Sequence, residues 1–223
     1  MELFFDMLRS IVYGVIEGIT EWLPISSTGH MILVDEIIHL DVSEAYREVF
    51  MVVIQLGAIL AVVVLYFKKL WPFCGDNGRD SGLAKHIRWP VMRLWGKIIV
   101  GAWQVLALIP GTSRSGATII GGLLCGMSRA CASQFTFFLA IPVMAGASGL
   151  KLVKFLAKGG VFTLGEVGTL LVGCIVAFVV SILAIRFLMD YVKKHTFTVF
   201  GWYRIALGIL VLGIWALQSF VLA

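Results

Sequence analysis

Long apolar stretches separated by short polar segments dominate the pattern along this chain. Residues 49–67 and 167–185 are almost continuously apolar, and about 20 such residues let an α-helix cross a hydrocarbon layer of about 30 Å. Two further spans are predicted once a few polar residues are allowed, at residues 135–150, which Pro142 interrupts, and at residues 199–221. The pattern therefore predicts an all-α polytopic membrane protein with about four spanning helices.

Two other segments combine an apolar arm, a proline, a run of small and hydroxyl residues, and a second arm. They are EGITEWLPISSTGH at residues 17–30 and WQVLALIPGTSRSGATI at residues 103–119. A proline among glycines and serines cannot continue a lipid-facing helix, because the freed backbone groups find no water to bond. Each segment therefore predicts a re-entrant helical hairpin, over residues 8–40 and 98–126.

The two hairpins belong to an internal repeat, since an apolar span follows each of them. The first hairpin precedes a helix that runs inward, and the second follows a basic loop, so the two units have inverted topology and their tips can meet near the midplane. One membrane domain, residues 1–223, is expected. Its parts are repeat unit 1 (1–67), a cytoplasmic loop (68–97), repeat unit 2 (98–150) and C-terminal helices (165–190 and 199–221).

The composition agrees with a membrane protein, because 60% of the 223 residues are hydrophobic and 14% are charged. Basic residues concentrate in the loop at 68–97, which the positive-inside rule places in the cytoplasm. The net charge of +5 lies in such loops rather than in a basic stripe, so membrane lipids are expected as partners and nucleic acid is not. Tyr203 and Arg204 are interpreted as anchors at the cytoplasmic interface.

The first tip carries two acids that would be costly in hydrocarbon without a partner. Glu17 and Glu21 lie one helical turn apart on the same face, where two carboxylates repel each other unless a cation joins them. Mg²⁺ accepts carboxylate and phosphate oxygens while keeping several waters. The two glutamates are thus candidate metal ligands; the alternative is that one of them pairs with Arg9 or Arg114.

Ser26, Ser27 and Thr28 follow at the start of the second arm, where a helix N-terminus favours anions. His30, about one turn further on, could take a proton from a hydroxyl or a water and return it to a leaving group. Whether Ser27 attacks directly or positions a water stays open. A plain N-cap serine and a structural histidine are the alternative interpretation.

The second tip repeats the hydroxyls but carries a guanidinium instead of acids. Arg114 can hold two phosphate oxygens in its planar fork, or it can simply neutralise the glutamates. Gln104 occupies a place in the repeat like that of Glu17. Facing tips of this kind suit phosphoryl transfer from an amphipathic phosphate, and the rival function is a lipid flippase or transporter. The predicted substrate-binding side chains on the second tip are Gln104, Thr112, Ser113 and Ser115.

These two signatures, with VIQLGAILAVV between them and FFLAIPVMAGAS after them, resemble the bacterial undecaprenyl-diphosphate phosphatase family of the bacitracin-resistance type. The resemblance covers nearly the whole chain. It implies removal of the terminal phosphate of a C55 polyprenyl diphosphate at the outer face of the bacterial plasma membrane, which recycles the lipid carrier for peptidoglycan synthesis. It also implies Mg²⁺ or Ca²⁺ and these key residues: Glu17, Glu21, Ser26, Ser27, Thr28, His30, Ser113, Arg114, Ser115 and Thr118.

One departure separates the chain from this family. Its members carry two further membrane helices between the basic loop and the second hairpin, and here LWGKIIV runs directly into GAWQVLALIPG. Because an even number of helices is missing, the orientation of everything after the gap is preserved. The tips can still face each other, although an inactive remnant of the family also fits. A homodimer is compatible with the sequence.

Overall fold

The computed structural model describes residues 2–70, 94–109 and 111–221, so most of the basic loop and Pro110 lie outside the described residues. A short helical turn, Phe67–Leu70, follows the third helix, and a 3₁₀ turn, Gln104–Leu108, follows the fourth. The described helices are α1 (Glu2–Thr20), α2 (Ser27–Asp35), α3 (Glu44–Leu65), α4 (Leu94–Trp103), α5 (Arg114–Leu124), α6 (Arg129–Ala157), α7 (Leu164–Lys194) and α8 (Thr198–Val221).

Four of these helices, α3, α6, α7 and α8, are long and apolar enough to cross a membrane. The predicted all-α polytopic fold with about four spanning helices is therefore confirmed. The predicted interruption at Pro142 is wrong, because α6 continues through this residue. A proline is tolerated inside a membrane helix when neighbouring helices and small local adjustments satisfy the backbone carbonyl that it frees.

Two hairpins of shorter helices precede α3 and α6. In the first, residues 21–25 form the turn between α1 and α2, and the Tyr13 hydroxyl ties the arms together by donating to Asp35 at 2.7 Å. In the second, α4 and the 3₁₀ turn form one arm and α5 the other. We call residues 17–30 the first tip, and residues 104–109 with 111–119 the second tip.

Small residues let the first hairpin pack closely on the spanning helices. α1 packs along α7, and a Cβ added at Gly14 would lie 2.7 Å from the carbonyl oxygen of Gly173, so only glycine fits there. Close backbone approach through small residues is the usual way that helices associate in a membrane. α3 packs against α6 and α7, and α5 packs against α6, so both hairpins are supported by the same group of helices.

α8 differs from the other spanning helices because no residue of its apolar segment is buried. Near its start, Phe200 packs edge-on against Tyr191 of α7, with ring centroids 5.5 Å apart. The rest of the helix exposes large apolar side chains, among them Ile209, Leu212 and Trp215. Such a surface suits contact with lipid.

Candidate active site

The two tips touch each other directly. Nη2 of Arg114 lies 2.5 Å from Oε1 of Glu21, and the two side chains are 17% and 6% exposed. The Ser115 hydroxyl donates to the carbonyl oxygen of Leu23 at 3.1 Å. Residues more than 90 positions apart in the chain are thus joined by an ion pair and a hydrogen bond, and the acidic tip and the basic tip form one site.

A cavity of about 250 Å³ lies where the tips meet. The hairpins supply most of its wall, and α3 and α6 complete it. Its wall combines charged, hydroxyl and amide side chains from the hairpins and α3 with apolar side chains from the second hairpin and α6. The lining residues are Glu21, Ser26, Ser27, Thr28, Gln55, Gln104, Ala107, Leu108, Thr112, Ser113, Arg114, Ser115, Val143, Met144 and Ala147.

The first tip offers hydrogen-bond donors at the start of α2. The first amides of a helix have no partner within that helix, and the side chain of the N-cap residue Ser26 does not bond to any of them. Ser26 has φ 74°, the one positive value at a non-glycine position among the described residues. Strain of this kind clusters at functional sites. The hydroxyl of Ser27 donates to Oε2 of Glu21.

The second tip forms the start of α5, and its serines organise the turn. The Ser113 hydroxyl caps this helix by accepting from the amide of Gly116 at 3.1 Å, and it lies 3.0 Å from the hydroxyl of Ser115. Both helix starts therefore line one cavity. A helix N-terminus carries a partial positive charge and free N–H groups, so the two starts together with Arg114 suit a phosphate.

Two predicted residues support the site from behind the cavity wall. The hydroxyl of Thr118 donates to the carbonyl of Arg114 at 2.9 Å, one turn back along α5. Glu17 is fully buried, and neither of its carboxyl oxygens accepts a hydrogen bond from the described residues. The charged side chains that act on it are Glu21 and Arg114. A buried carboxylate without a donor is costly, and Arg114 donates to Glu21 instead.

The structure places His30 against the backbone of Ser26 but not against Ser27. Its Nδ1 lies 2.8 Å from the carbonyl oxygen of Ser26, and its Nε2 lies 2.7 Å from the hydroxyl of Tyr203. In this arrangement the Ser27 hydroxyl meets Glu21 rather than His30. The expected transfer of a proton from Ser27 to His30 therefore has no direct hydrogen bond along which to occur.

Three residues at the site were not predicted from the sequence. Gln55 of α3 lines the cavity, Tyr203 of α8 bonds to His30, and Nη2 of Arg204 lies 3.4 Å from the carbonyl oxygen of Gly111 on the second tip. The available signal for Gln55 was a polar amide in the middle of an apolar span. Tyr203 and Arg204 resembled interfacial residues because they stand near the end of a span.

Glu17 and Glu21 are the carboxyl groups near the site that could hold a hard divalent cation. Both oxygens of Glu21 already accept hydrogen bonds, whereas the buried oxygens of Glu17 accept none from the described residues. In the described part of the chain, no group of three or more His, Cys, Asp or Glu side chains is arranged so that it could hold a metal ion by itself. The remaining ligands of such an ion would be water and substrate oxygens, as is usual for Mg²⁺.

Comparison with known proteins identifies the family. The model of the family described as bacitracin resistance protein BacA matches residues 10–89 and 84–210. This chain belongs to the BacA family. The two matched segments meet at residues 84–89, inside the basic loop, and together they include both tips and all four spanning helices except the end of α8.

Relatives of this BacA-family chain are named undecaprenyl-diphosphatase. One from Enterococcus faecalis is 47% identical over 278 positions, which cover 96% of this chain and 99% of the relative. Another, from Lactococcus lactis subsp. cremoris, is 44% identical over 282 positions, covering 97% of this chain and 99% of the relative. An alignment of 278 positions exceeds the 223 residues of this chain. The relatives therefore contain residues without a counterpart here, in total enough for two spanning helices of about 20 residues each.

Proposed function

We propose that this chain hydrolyses undecaprenyl diphosphate to undecaprenyl phosphate and inorganic phosphate, recycling the lipid carrier of peptidoglycan synthesis and giving bacitracin resistance. The observation that carries this proposal is the Arg114–Glu21 ion pair in a cavity that two helix N-termini line. The names of the relatives support the same reaction. Acid, hydroxyl and guanidinium groups are all within reach of one diphosphate.

The second tip binds the terminal phosphate in this mechanism. Arg114 holds its oxygens as a charged fork, and the hydroxyls and amides at the starts of α2 and α5 complete the binding. Phosphoryl transfer depends mainly on positioning and on neutralising these oxygens. The apolar wall formed by Val143, Met144 and Ala147 fits the isoprenoid end of the substrate.

The hydrogen bond from Ser27 to Glu21 supports the following path for the proton. The Ser27 oxygen attacks the terminal phosphorus, and its proton passes to the Glu21 carboxylate. The bond from this phosphorus to the bridging oxygen breaks, and the electron pair leaves with undecaprenyl phosphate. Glu21 returns its proton to the departing phosphate oxygen and is again a carboxylate. Water then attacks the phosphorus of the phosphoserine and gives its proton to Glu21, the bond from phosphorus to the Ser27 oxygen breaks, that oxygen takes the proton back from Glu21, and inorganic phosphate is released.

We also propose that Glu17 and Glu21 hold Mg²⁺, for which Ca²⁺ can substitute. When bound, the ion would help to neutralise the phosphate oxygens of the substrate. Adding excess EDTA to the purified chain in detergent is expected to abolish phosphate release, and restoring Mg²⁺ is expected to recover it. Full activity in excess chelator, with metal content checked by elemental analysis, would remove the ion from the mechanism.

The proposed location is the bacterial plasma membrane, with the site opening to the outer face. A second cavity of about 360 Å³ adjoins the first, since Thr28 and Gln55 line both. It is also lined by Glu44 and Arg47 at the beginning of α3 and by Lys151 near the end of α6. In the predicted topology these helix ends lie outside, so this cavity connects the site with the outer surface.

Phosphate release from liposomes tests the proposed function. We expect the purified chain, reconstituted with undecaprenyl diphosphate and Mg²⁺, to release inorganic phosphate, and the Arg114→Ala variant to release none above background. Movement of intact diphosphate lipid between leaflets without phosphate release would instead support a transporter. Absence of both would show an inactive member of the family, for which the missing segment is the first explanation to test.

A further inference from the structure

Tyr203 joins the otherwise exposed helix α8 to the first tip. Its ring stacks on the imidazole of His30, with centroids 5.7 Å apart and planes 7° apart. Its hydroxyl lies 2.7 Å from Nε2 of the same imidazole. The next residue, Arg204, reaches the carbonyl of Gly111 on the second tip. One turn of α8 thus contacts both tips.

The hydrogen bonds around His30 select one tautomer. The carbonyl oxygen of Ser26 can only accept, so Nδ1 of His30 must carry the hydrogen that bonds to it at 2.8 Å. In the neutral imidazole Nε2 is then an acceptor, and the hydroxyl of Tyr203 is its donor. A continuous chain of bonds runs from Tyr203 through His30 to the backbone of Ser26.

This series of hydrogen bonds ends at Ser26, the strained residue of the first tip. Ser26 has a positive φ, a conformation that an L-residue keeps only when its surroundings hold it there. Its carbonyl accepts from both Nδ1 and the amide of His30, the latter at 3.3 Å. The backbone conformation of Ser26 determines where α2 begins. It therefore also determines where the Ser27 hydroxyl and the first amides of α2 point.

We propose that Tyr203 is a positioning residue that, through His30, holds Ser26 and thereby aims Ser27 at the substrate. His30 then acts as a structural bridge of the active site rather than as the proton acceptor for Ser27. The kinetic consequence rests on the proposed phosphatase function, whereas the tautomer of His30 does not. The two parts can therefore be tested separately.

The tautomer is tested by NMR of the protein labelled with ¹⁵N-histidine in detergent micelles at neutral pH. The His30 signals are assigned by their loss in His30→Gln. We expect wild type to show the tautomer protonated at Nδ1 and Tyr203→Phe to show a mixture of tautomers. A wild-type His30 protonated at Nε2 overturns the proposal whether or not any variant folds.

The kinetic test compares Tyr203→Phe with Tyr191→Phe. Tyr191 is a matched control, because its ring also stacks on a histidine, His195, at 4.6 Å, away from the cavity. Loss of one hydrogen bond is expected to lower kcat by about 3- to 10-fold with KM nearly unchanged, since the phosphate ligands remain. Tyr191→Phe should match wild type. Equal kcat in the two variants overturns the positioning role.

The NMR test and the kinetic test together distinguish failure of the positioning role of Tyr203 from failure of the phosphatase proposal. If wild type releases no phosphate but His30 shows the expected tautomer and Tyr203→Phe disturbs it, the phosphatase proposal fails and the structural role of Tyr203 stands. If wild type is active and the tautomer is unaffected by Tyr203→Phe, the positioning role fails and the phosphatase proposal stands.

Discussion

Replacing Arg114 by alanine is expected to abolish phosphate release. The guanidinium is the cation that lines the cavity, and no other Lys or Arg side chain lines it among the described residues. Removing one charge-stabilising donor from a transition state typically costs about 10²- to 10³-fold in kcat, and loss of a full positive charge should exceed this. The measurement is phosphate release from reconstituted protein at saturating substrate.

Arg129→Ala is the matched control for this variant. Arg129 bonds to the carbonyl of His195 at an exposed position away from the cavity, so its removal should leave turnover within about twofold of wild type. Turnover of Arg114→Ala within tenfold of wild type would contradict the assigned role. Size-exclusion chromatography and circular dichroism in detergent should show that both variants remain folded.

Replacing Glu21 by glutamine is expected to have the second large effect. Glu21 accepts the Ser27 hydroxyl on one oxygen and pairs with Arg114 through the other, so an amide there removes the proton acceptor while keeping the shape. A positioned general base typically raises the reaction rate by about 10²- to 10⁴-fold. We therefore expect kcat to fall by a factor of at least about 10². Asp190→Asn, at an exposed ion pair with Lys193, is the control and should stay near wild-type turnover.

A double variant separates the catalytic role of the ion pair from its structural role. Breaking a buried pair on one side can cost about 3–5 kcal/mol of stability, so Arg114→Gln alone should lower the unfolding temperature. Arg114→Gln combined with Glu21→Gln removes both charges and should recover much of that loss without recovering phosphate release. Recovery of turnover in the double variant would show that the pair matters only for stability.

The spanning helices were predictable because an apolar run of helical length has few alternatives in a membrane. The runs at 49–67 and 167–185 lie largely within α3 and α7. The interruption predicted at Pro142 is wrong, because a proline breaks a helix only where nothing else satisfies the freed backbone. The neighbours of α6 belong to other parts of the chain, and a local pattern does not contain them.

The residues of the site could be predicted because burying charged side chains in a membrane costs free energy. Such residues inside apolar sequence therefore indicate a functional site. Glu21, Ser27 and Arg114 were proposed from this argument, and the structure brings them together. The hydrogen-bond partner of each side chain could not be predicted, because it depends on distances between residues far apart in the sequence. Ser27 meets Glu21 rather than His30, and His30 meets Tyr203, which is 173 residues away in sequence.

Hydrophobicity along the chain thus established the membrane class, the spans and the two polar tips, because each of these follows from the cost of transferring a residue or a segment into lipid. Only the tertiary structure showed which side chains meet. It determined which carboxyl group lines the cavity, which one accepts the hydrogen bond of the serine, and which helix contacts both tips. Those pairings depend on how helices far apart in the sequence are placed against one another, as α1 is against α7 and α5 against α6. A hydrogen bond is made or lost within 1 Å, and no pattern of residues in one segment specifies that distance.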